Sequence, residues 1–154
     1  ANWGRVLPEN HGMGIALVTS FGVPVAQVIE VEKTQNGIKI HNVYVAADVG
    51  IAIDPSNIEA QLISGINFGL AAAMMGEITV KDGKVEQTNF HNFDSIRMHQ
   101  APAIHCKILE NGERIRGIGE PGTPPAAPAL ANAIYAATGV RLREMPFKKQ
   151  IQFV

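Results

Sequence analysis

Glu120 is the side chain whose neighbours best equip it to move a proton. It lies in Arg116-Gly117-Ile118-Gly119-Glu120-Pro121-Gly122-Thr123-Pro124-Pro125, ahead of an alanine-rich helical pattern. Gly119 can take backbone angles that other residues take only at a cost. Pro121 fixes its own φ and pushes Glu120 toward extended geometry. A segment of this kind holds one acid in one orientation at the mouth of a helix, which suits a positioned general base. The plainer role for such an acid is a first-turn charge on a helix dipole, worth about 0.3–1 kcal/mol.

The same stretch spells G-x-G-x-x-G through Gly117, Gly119 and Gly122. A dinucleotide fingerprint also needs a buried strand before it, a helix opening inside it, and an acid about 20 residues on at the end of a second apolar strand. Glu144 is near that distance, but Gly139-Val140-Arg141-Leu142-Arg143 before it is short and charged. Pro121, Pro124 and Pro125 crowd the turn where N–H groups should meet a pyrophosphate. A nicotinamide site is therefore not expected. His91, His99, His105 and Cys106 lack the i, i+4 or C-x-x-C spacing that makes a metal site. They read as loop and strand histidines and a core cysteine, and no metal ligand is assigned among them.

The elements that must hold Glu120 follow from periodicity. Gly14 to Ser20 reads as a strand. Val23-Val25-Gln27-Ile29-Val31 lines one face at period two, with Glu30 and Glu32 on the other. Asn36-Gly37 then signals a hairpin whose second arm runs from Ile38 to about Asp48. The apolar phase shifts between Ile40 and Val43, which predicts a bulge near His41 or Asn42. Asp54 or Ser56 can cap a helix with Pro55 in its first turn. From Asn57 to about Met75, Ile58, Leu62, Ile66, Leu70 and Met74 recur every four residues. Ser64, Gly65 and Gly69 on that helix predict close approach of a backbone or ligand, since Gly there costs about 1 kcal/mol relative to Ala.

Lys81-Asp82-Gly83 marks a second hairpin, and Asn89 to Ala103 a long loop. Ile104 to Leu109 is a strand. Thr123 can cap a helix from Pro124-Pro125 to Thr138, with Gly139 beyond its end. Phe147 to Val154 is either a last strand or a segment that docks on a missing partner. The sum is α+β, with β-hairpins packed against two main helices.

Composition sets outer bounds. The 154 residues suit one domain with a substantial core. Apolar content of 46%, with 18% charged residues, argues against disorder. A net charge of −1 and scattered basic residues argue against nucleic acid as a partner. One cysteine rules out an internal disulfide or an iron–sulfur site built by this chain alone. The run from Ile66 to Met75 is too short to span a membrane. The opening at Ala1, without Met, fits a piece cut from a longer polypeptide as well as it fits trimming.

The order of these features resembles the C-terminal part of the molybdenum-binding subunit in the xanthine dehydrogenase and aldehyde oxidase family. Asp48-Val49-Gly50-Ile51-Ala52-Ile53-Asp54-Pro55 is similar to its D-x-G-x-x-[IL]-[ND]-P segment. Glu59-Ala60-Gln61-Leu62-Ile63-Ser64-Gly65, then Gly69-Leu70, is similar to its E-G-Q-x-x-G-G…G-L cofactor helix. Asn92-Phe93-Asp94-Ser95-Ile96-Arg97 resembles its N-Y-x-x-x-R loop, and Gly117-Ile118-Gly119-Glu120-Pro121 its G-x-G-E-P signature. The match runs from Gly12 to Pro146 and is strongest to the isoquinoline 1-oxidoreductase β-subunit branch. Ala60, Ser64, Phe68 and Phe93 depart from the usual Gly, Gly, Gln and Tyr.

The resemblance implies a molybdopterin-binding subdomain of an enzyme that hydroxylates an aldehyde or N-heterocycle with oxygen drawn from water. It implies a molybdopterin with molybdenum, in the cytosine dinucleotide form. It also implies the remainder of the molybdenum subunit and a small subunit carrying iron–sulfur clusters as partners. Glu120 is then the general base, and Gln61, Gly117 and Gly119 contact the cofactor. A bacterial cytoplasm and a periplasm remain equally open. The chain is expected to be a C-terminal fragment that folds but neither retains molybdenum nor turns over alone. The alternative is a non-catalytic assembly domain that keeps the fold and binds no cofactor.

Overall fold

The computed structural model describes residues 1–154. The chain forms β1 (His11–Ser20), β2 (Val23–Lys33), β3 (Ile38–Asp48), α1 (Pro55–Met74), β4 (Val80–Lys81), β5 (Lys84–Val85), β6 (Ala103–Leu109) and α2 (Ala126–Thr138). The main sheet has the order β1-β2-β3-β6. Its first three strands pair antiparallel, while β6 joins β3 in parallel through the crossover that contains α1. The fold is α+β, with both long helices on one face of this mixed sheet.

Alternation decides that face. Val23, Val25, Ile29 and Val31 of β2 and Val43, Val45 and Ala47 of β3 point into the core with Ile58, Leu62, Ile66 and Leu70 of α1. Every residue of the four-residue stripe on α1 is buried. The helix starts where Asp54 Oδ1 accepts the Asn57 N–H at 3.1 Å, with Pro55 in the first turn. Helix α2 contributes Ala129, Leu130, Ala133 and Ile134, and lies against β1 and β2. It ends on Gly139 in the left-handed region, whose N–H donates to Tyr135 O.

The expected bulge is present. Glu30 pairs with Asn42 and Val31 with Ile40, so His41 is the extra residue. The second hairpin has arms of only two residues around Asp82-Gly83. The tail docks on its own sheet: Ile38 N–H donates to Gln152 O, Val154 N–H to Ile38 O, and Phe147 is buried in the core. That satisfies the free edge of β3 beside the end of β6, so this segment has its partner within the chain.

Candidate functional site

A cleft of about 530 Å³ opens between α1, the β1–β2 turn and the segment before α2. Ser64 and Phe68 form its helical wall, Ser20 and Phe21 its strand-turn wall, and Gly119 and Glu120 its third side. Glu120 is exposed, and its carboxylate has no hydrogen-bond or ion-pair partner within the chain. It precedes the helix by a full turn of chain, and no acid lies in the first turn of α2. The helix-dipole role therefore lacks its geometry.

The turn that carries Glu120 is braced on both sides. Upstream, Arg116 N–H donates to Val49 O at 3.1 Å, and Arg116 Nη1 reaches Asp48 Oδ2 at 3.3 Å and Asp48 O at 3.2 Å. Asp48 Oδ1 in turn accepts the Asn111 and Gly50 N–H groups, both at 3.1 Å. These backbone donors, Asn111 first and then Gly50, together with Arg116, hold the Asp48 carboxyl below its ordinary range. The aspartate of the D-x-G segment thus ties the end of β3 to the chain leading into Gly117 and Gly119.

Downstream, Glu120 O accepts the Thr123 N–H at 2.9 Å, closing a turn over the buried Pro121 and Gly122. Thr123 was expected to cap α2, but it does not. Its hydroxyl donates to Gly65 O of α1 at 3.0 Å, and Pro125 stands at the helix start without a side-chain cap. Gln27 Nε2 donates to Gly122 O at 2.6 Å. Gln27 is fully buried, and its Oε1 has no partner. Sequence periodicity placed Gln27 on the inward face but gave it no role. A lone carboxamide in an otherwise apolar inward phase is the signal that marks it.

The small residues of α1 serve this turn. A Cβ on Gly69 would come within 2.7 Å of Thr123 O and 2.9 Å of Ala126 Cβ; one on Gly65 would sit 3.3 Å from Thr123 Oγ1. Close backbone approach, expected from Ser64, Gly65 and Gly69, is thus found at both glycines. Gly117 and Gly119 behave differently. Neither has positive φ, so the expectation that Gly119 needs special backbone angles is not met. A Cβ at either position would meet no atom of the chain within 4 Å. Gln61 is exposed on α1, one turn before Ser64 and Gly65, and does not line the cleft.

The stretch before Gly117 contains no strand after Leu109, so a dinucleotide fold has no support here. His91, His99 and His105 are exposed and do not converge with Cys106; His105 stacks on Tyr44 and meets Asn42 Oδ1 at 3.0 Å. Cys106 packs against the core, and burial followed by the nearby Glu59 charge pushes its thiol up. No helix is long and apolar enough to cross a membrane.

Comparison with known proteins agrees with this architecture. Residues 6–102 match the model of the molybdopterin cofactor-binding domain. The chain is 33% identical over 153 residues to the isoquinoline 1-oxidoreductase subunit beta of Brevundimonas diminuta, covering 96% of this chain and 20% of that protein. It is 31% identical to the membrane-bound aldehyde dehydrogenase (pyrroloquinoline-quinone) of Gluconacetobacter polyoxogenes, again covering 96% of this chain and 20% of that protein. The chain thus spans about a fifth of the length of these relatives. Among solved structures, quinoline 2-oxidoreductase from Pseudomonas putida 86 superposes with a TM-score of 0.69 at 21% identity, over 81% of this chain and 17% of that one. The chain belongs to the molybdopterin cofactor-binding domain family.

Proposed function

We propose that this chain forms one wall of the cofactor site in a molybdenum hydroxylase, with Glu120 as the general base. The observation that carries the reading is a partnerless carboxylate on a turn braced from both sides, beside two glycines whose open faces meet nothing in the chain. The braces fix the main chain on either side of Glu120 and leave its carboxylate free for a partner outside the chain. The reaction in this reading is oxidation of an aldehyde or N-heterocycle with oxygen drawn from water.

The residues present fit a molybdopterin. The bare main chain at Gly117 and Gly119 can come into van der Waals contact with a flat pterin where any side chain would intrude. The Gln61 carboxamide, on the same side of α1 as Ser64, can donate and accept at once, which suits a pterin edge. When bound, the cofactor supplies the two-electron redox chemistry that no side chain here can supply. In this reading Glu120 Oε would hold the proton given up by the water-derived oxygen, a contribution of about 10²–10⁴ in rate. Phe68, exposed between two clefts on α1, offers an apolar face near that carboxylate. The same reading includes the cytosine dinucleotide form of the cofactor, the rest of the molybdenum subunit, and a small subunit whose iron–sulfur clusters carry the electrons away.

Gly119→Val in the complete protein tests the reading. The new side chain meets nothing within the chain, so the melting curve should move by less than about 0.5 kcal/mol. It would fill the space where the cofactor lies, so molybdenum and pterin per subunit should fall clearly. An unchanged melting curve with unchanged molybdenum content would show that this face does not meet the cofactor.

A further inference from the structure

On the sheet face away from the helices, β1, β2 and β3 bring His11, Glu32 and His41 together. One nitrogen of each imidazole and one carboxylate oxygen all lie within 4.8 Å of one another. We infer that these three residues form a binding site for a divalent first-row transition-metal ion of the zinc type. The inference does not depend on the molybdopterin reading.

The local architecture favours a site over a chance meeting. His11 and Glu32 are register partners across β1 and β2. His41 is the extra residue of the β3 bulge. In a regular ladder, His41 would take the register position opposite Glu30 that Asn42 occupies here. The bulge instead sets two consecutive polar residues against the same face: His41 Nε2 meets Glu32 Oε2 at 2.8 Å, and Asn42 Nδ2 donates to Glu30 Oε2 at 3.1 Å. Bulges commonly re-aim side chains at functional positions.

The donor set suits the ion. Two imidazoles and one carboxylate are a common three-residue ligand set for zinc, with a further position for water. In a tetrahedral site with bonds of about 2.0–2.1 Å, donor atoms stand about 3.3 Å apart. Glu32 Oε2 lies 2.8 Å from His41 Nε2 and 4.0 Å from His11 Nε2. The two imidazoles stack nearly parallel, 13° apart with centroids 5.3 Å apart, so one ring must turn about its side-chain torsions before both lone pairs converge on a shared ion.

The surroundings also match. If His11 Nε2 faces the ion, its Nδ1 faces Glu30 Oε1 at 3.7 Å. That Nδ1 is buried and has no hydrogen-bond partner. A carboxylate behind a ligating histidine is the usual device for fixing its tautomer and raising its basicity. Glu30 is itself anchored by Arg5 Nη2 at 2.7 Å and by Asn42. With neutral imidazoles, Glu30 and Glu32 are balanced by Arg5 and by Lys39, the register partner of Glu32, so the ion's affinity comes from its ligands rather than from a local excess of negative charge. Within this chain the three ligand side chains are partly exposed, between 18% and 34%.

The test uses the complete protein that contains this chain, with zinc alone as the probe. Equilibrium dialysis followed by elemental analysis counts zinc per subunit. Zinc-edge X-ray absorption reads its ligands without interference from molybdenum or iron. The expected result is one saturable zinc per subunit, with two imidazoles at about 2.0–2.1 Å. His41→Ala and the isosteric Glu32→Gln should each weaken uptake at least tenfold, and Glu30→Gln by about 10-fold through His11. Circular dichroism checks that each variant is folded. If His41→Ala does not fold, Glu32→Gln and the wild-type absorption spectrum decide. No saturable uptake by the wild type, a spectrum without two imidazoles, or uptake that folded His41→Ala or Glu32→Gln leaves unchanged overturns the inference.

Discussion

The amide of Gln27 on β2 donates to the carbonyl of Gly122, 95 residues later in the chain, at 2.6 Å. This single bond pins the turn carrying Glu120 to the middle strand of the three-stranded meander. Both partners are buried, so neither finds water if the other is lost.

Gln27→Leu should therefore destabilise the fold by about 1–3 kcal/mol, the cost of orphaning the Gly122 carbonyl. The partnerless Oε1 of Gln27 is removed at the same time, which places the result toward the lower end. Chemical denaturation measures the loss. Hydrogen exchange should show faster opening at Gly122 and Thr123 than at α1. Uniform exchange with unchanged stability would mean that the turn holds without this bond.

Two glycines on α1 should respond differently to the same small change. Gly69→Ala puts a methyl group 2.7 Å from Thr123 O and 2.9 Å from Ala126 Cβ, so either the helix or the turn must shift. A loss of about 1–3 kcal/mol is expected. Gly65→Ala meets Thr123 Oγ1 at 3.3 Å and otherwise makes ordinary contacts at 3.5 Å with Gly122 Cα and Thr123 N. Its gain in helix propensity, about 1 kcal/mol, offsets most of that strain. Gly65→Leu is too large for the space and should lose about 1–3 kcal/mol. Equal melting temperatures for the two alanine variants would contradict the packing described here.

Asp48 makes stability depend on acid pH. Its carboxyl is held below its unfolded value by the Asn111 and Gly50 amides and by Arg116. Its contribution is thus fully present above the unfolded pKa, about 3.9, and is lost as pH falls through the lower folded value. Asp48→Asn should be less stable than wild type by a constant amount from pH 5 to 8. The gap should close progressively below about pH 4. Urea melts across that range check it, and a gap as wide at pH 3 as at pH 7 would remove Asp48 from this role.

Local elements were legible because their signals are local. The stripe from Ile58 to Met74, the Asp54 cap, the left-handed Gly139 and the bulge at His41 each follow from a few neighbouring residues. The motifs around Asp48 and Gln61 carry the family resemblance in the sequence and lie within the residues 6–102 that match the family model. What stayed hidden depends on distant pairing. The parallel register of β3 with β6 joins Asn42 to Ala103 across the whole α1 crossover, which no short-range pattern reports. Thr123 looks like a helix cap in sequence, yet Gly65 O, 58 residues earlier, competes for its hydroxyl and wins. His11 lies before the strand start read from the sequence, so its meeting with Glu32 and His41 was not visible.

Glu120→Gln in the complete enzyme tests the central claim most directly. Gln keeps the shape and removes the proton acceptor. Since the Glu120 carboxylate has no partner within the chain, the substitution should leave stability and molybdenum content near wild type. Turnover per bound molybdenum should fall by about 10²–10⁴. Turnover of the Gln variant within a few-fold of wild type, per bound molybdenum, would contradict the assignment of Glu120 as the base.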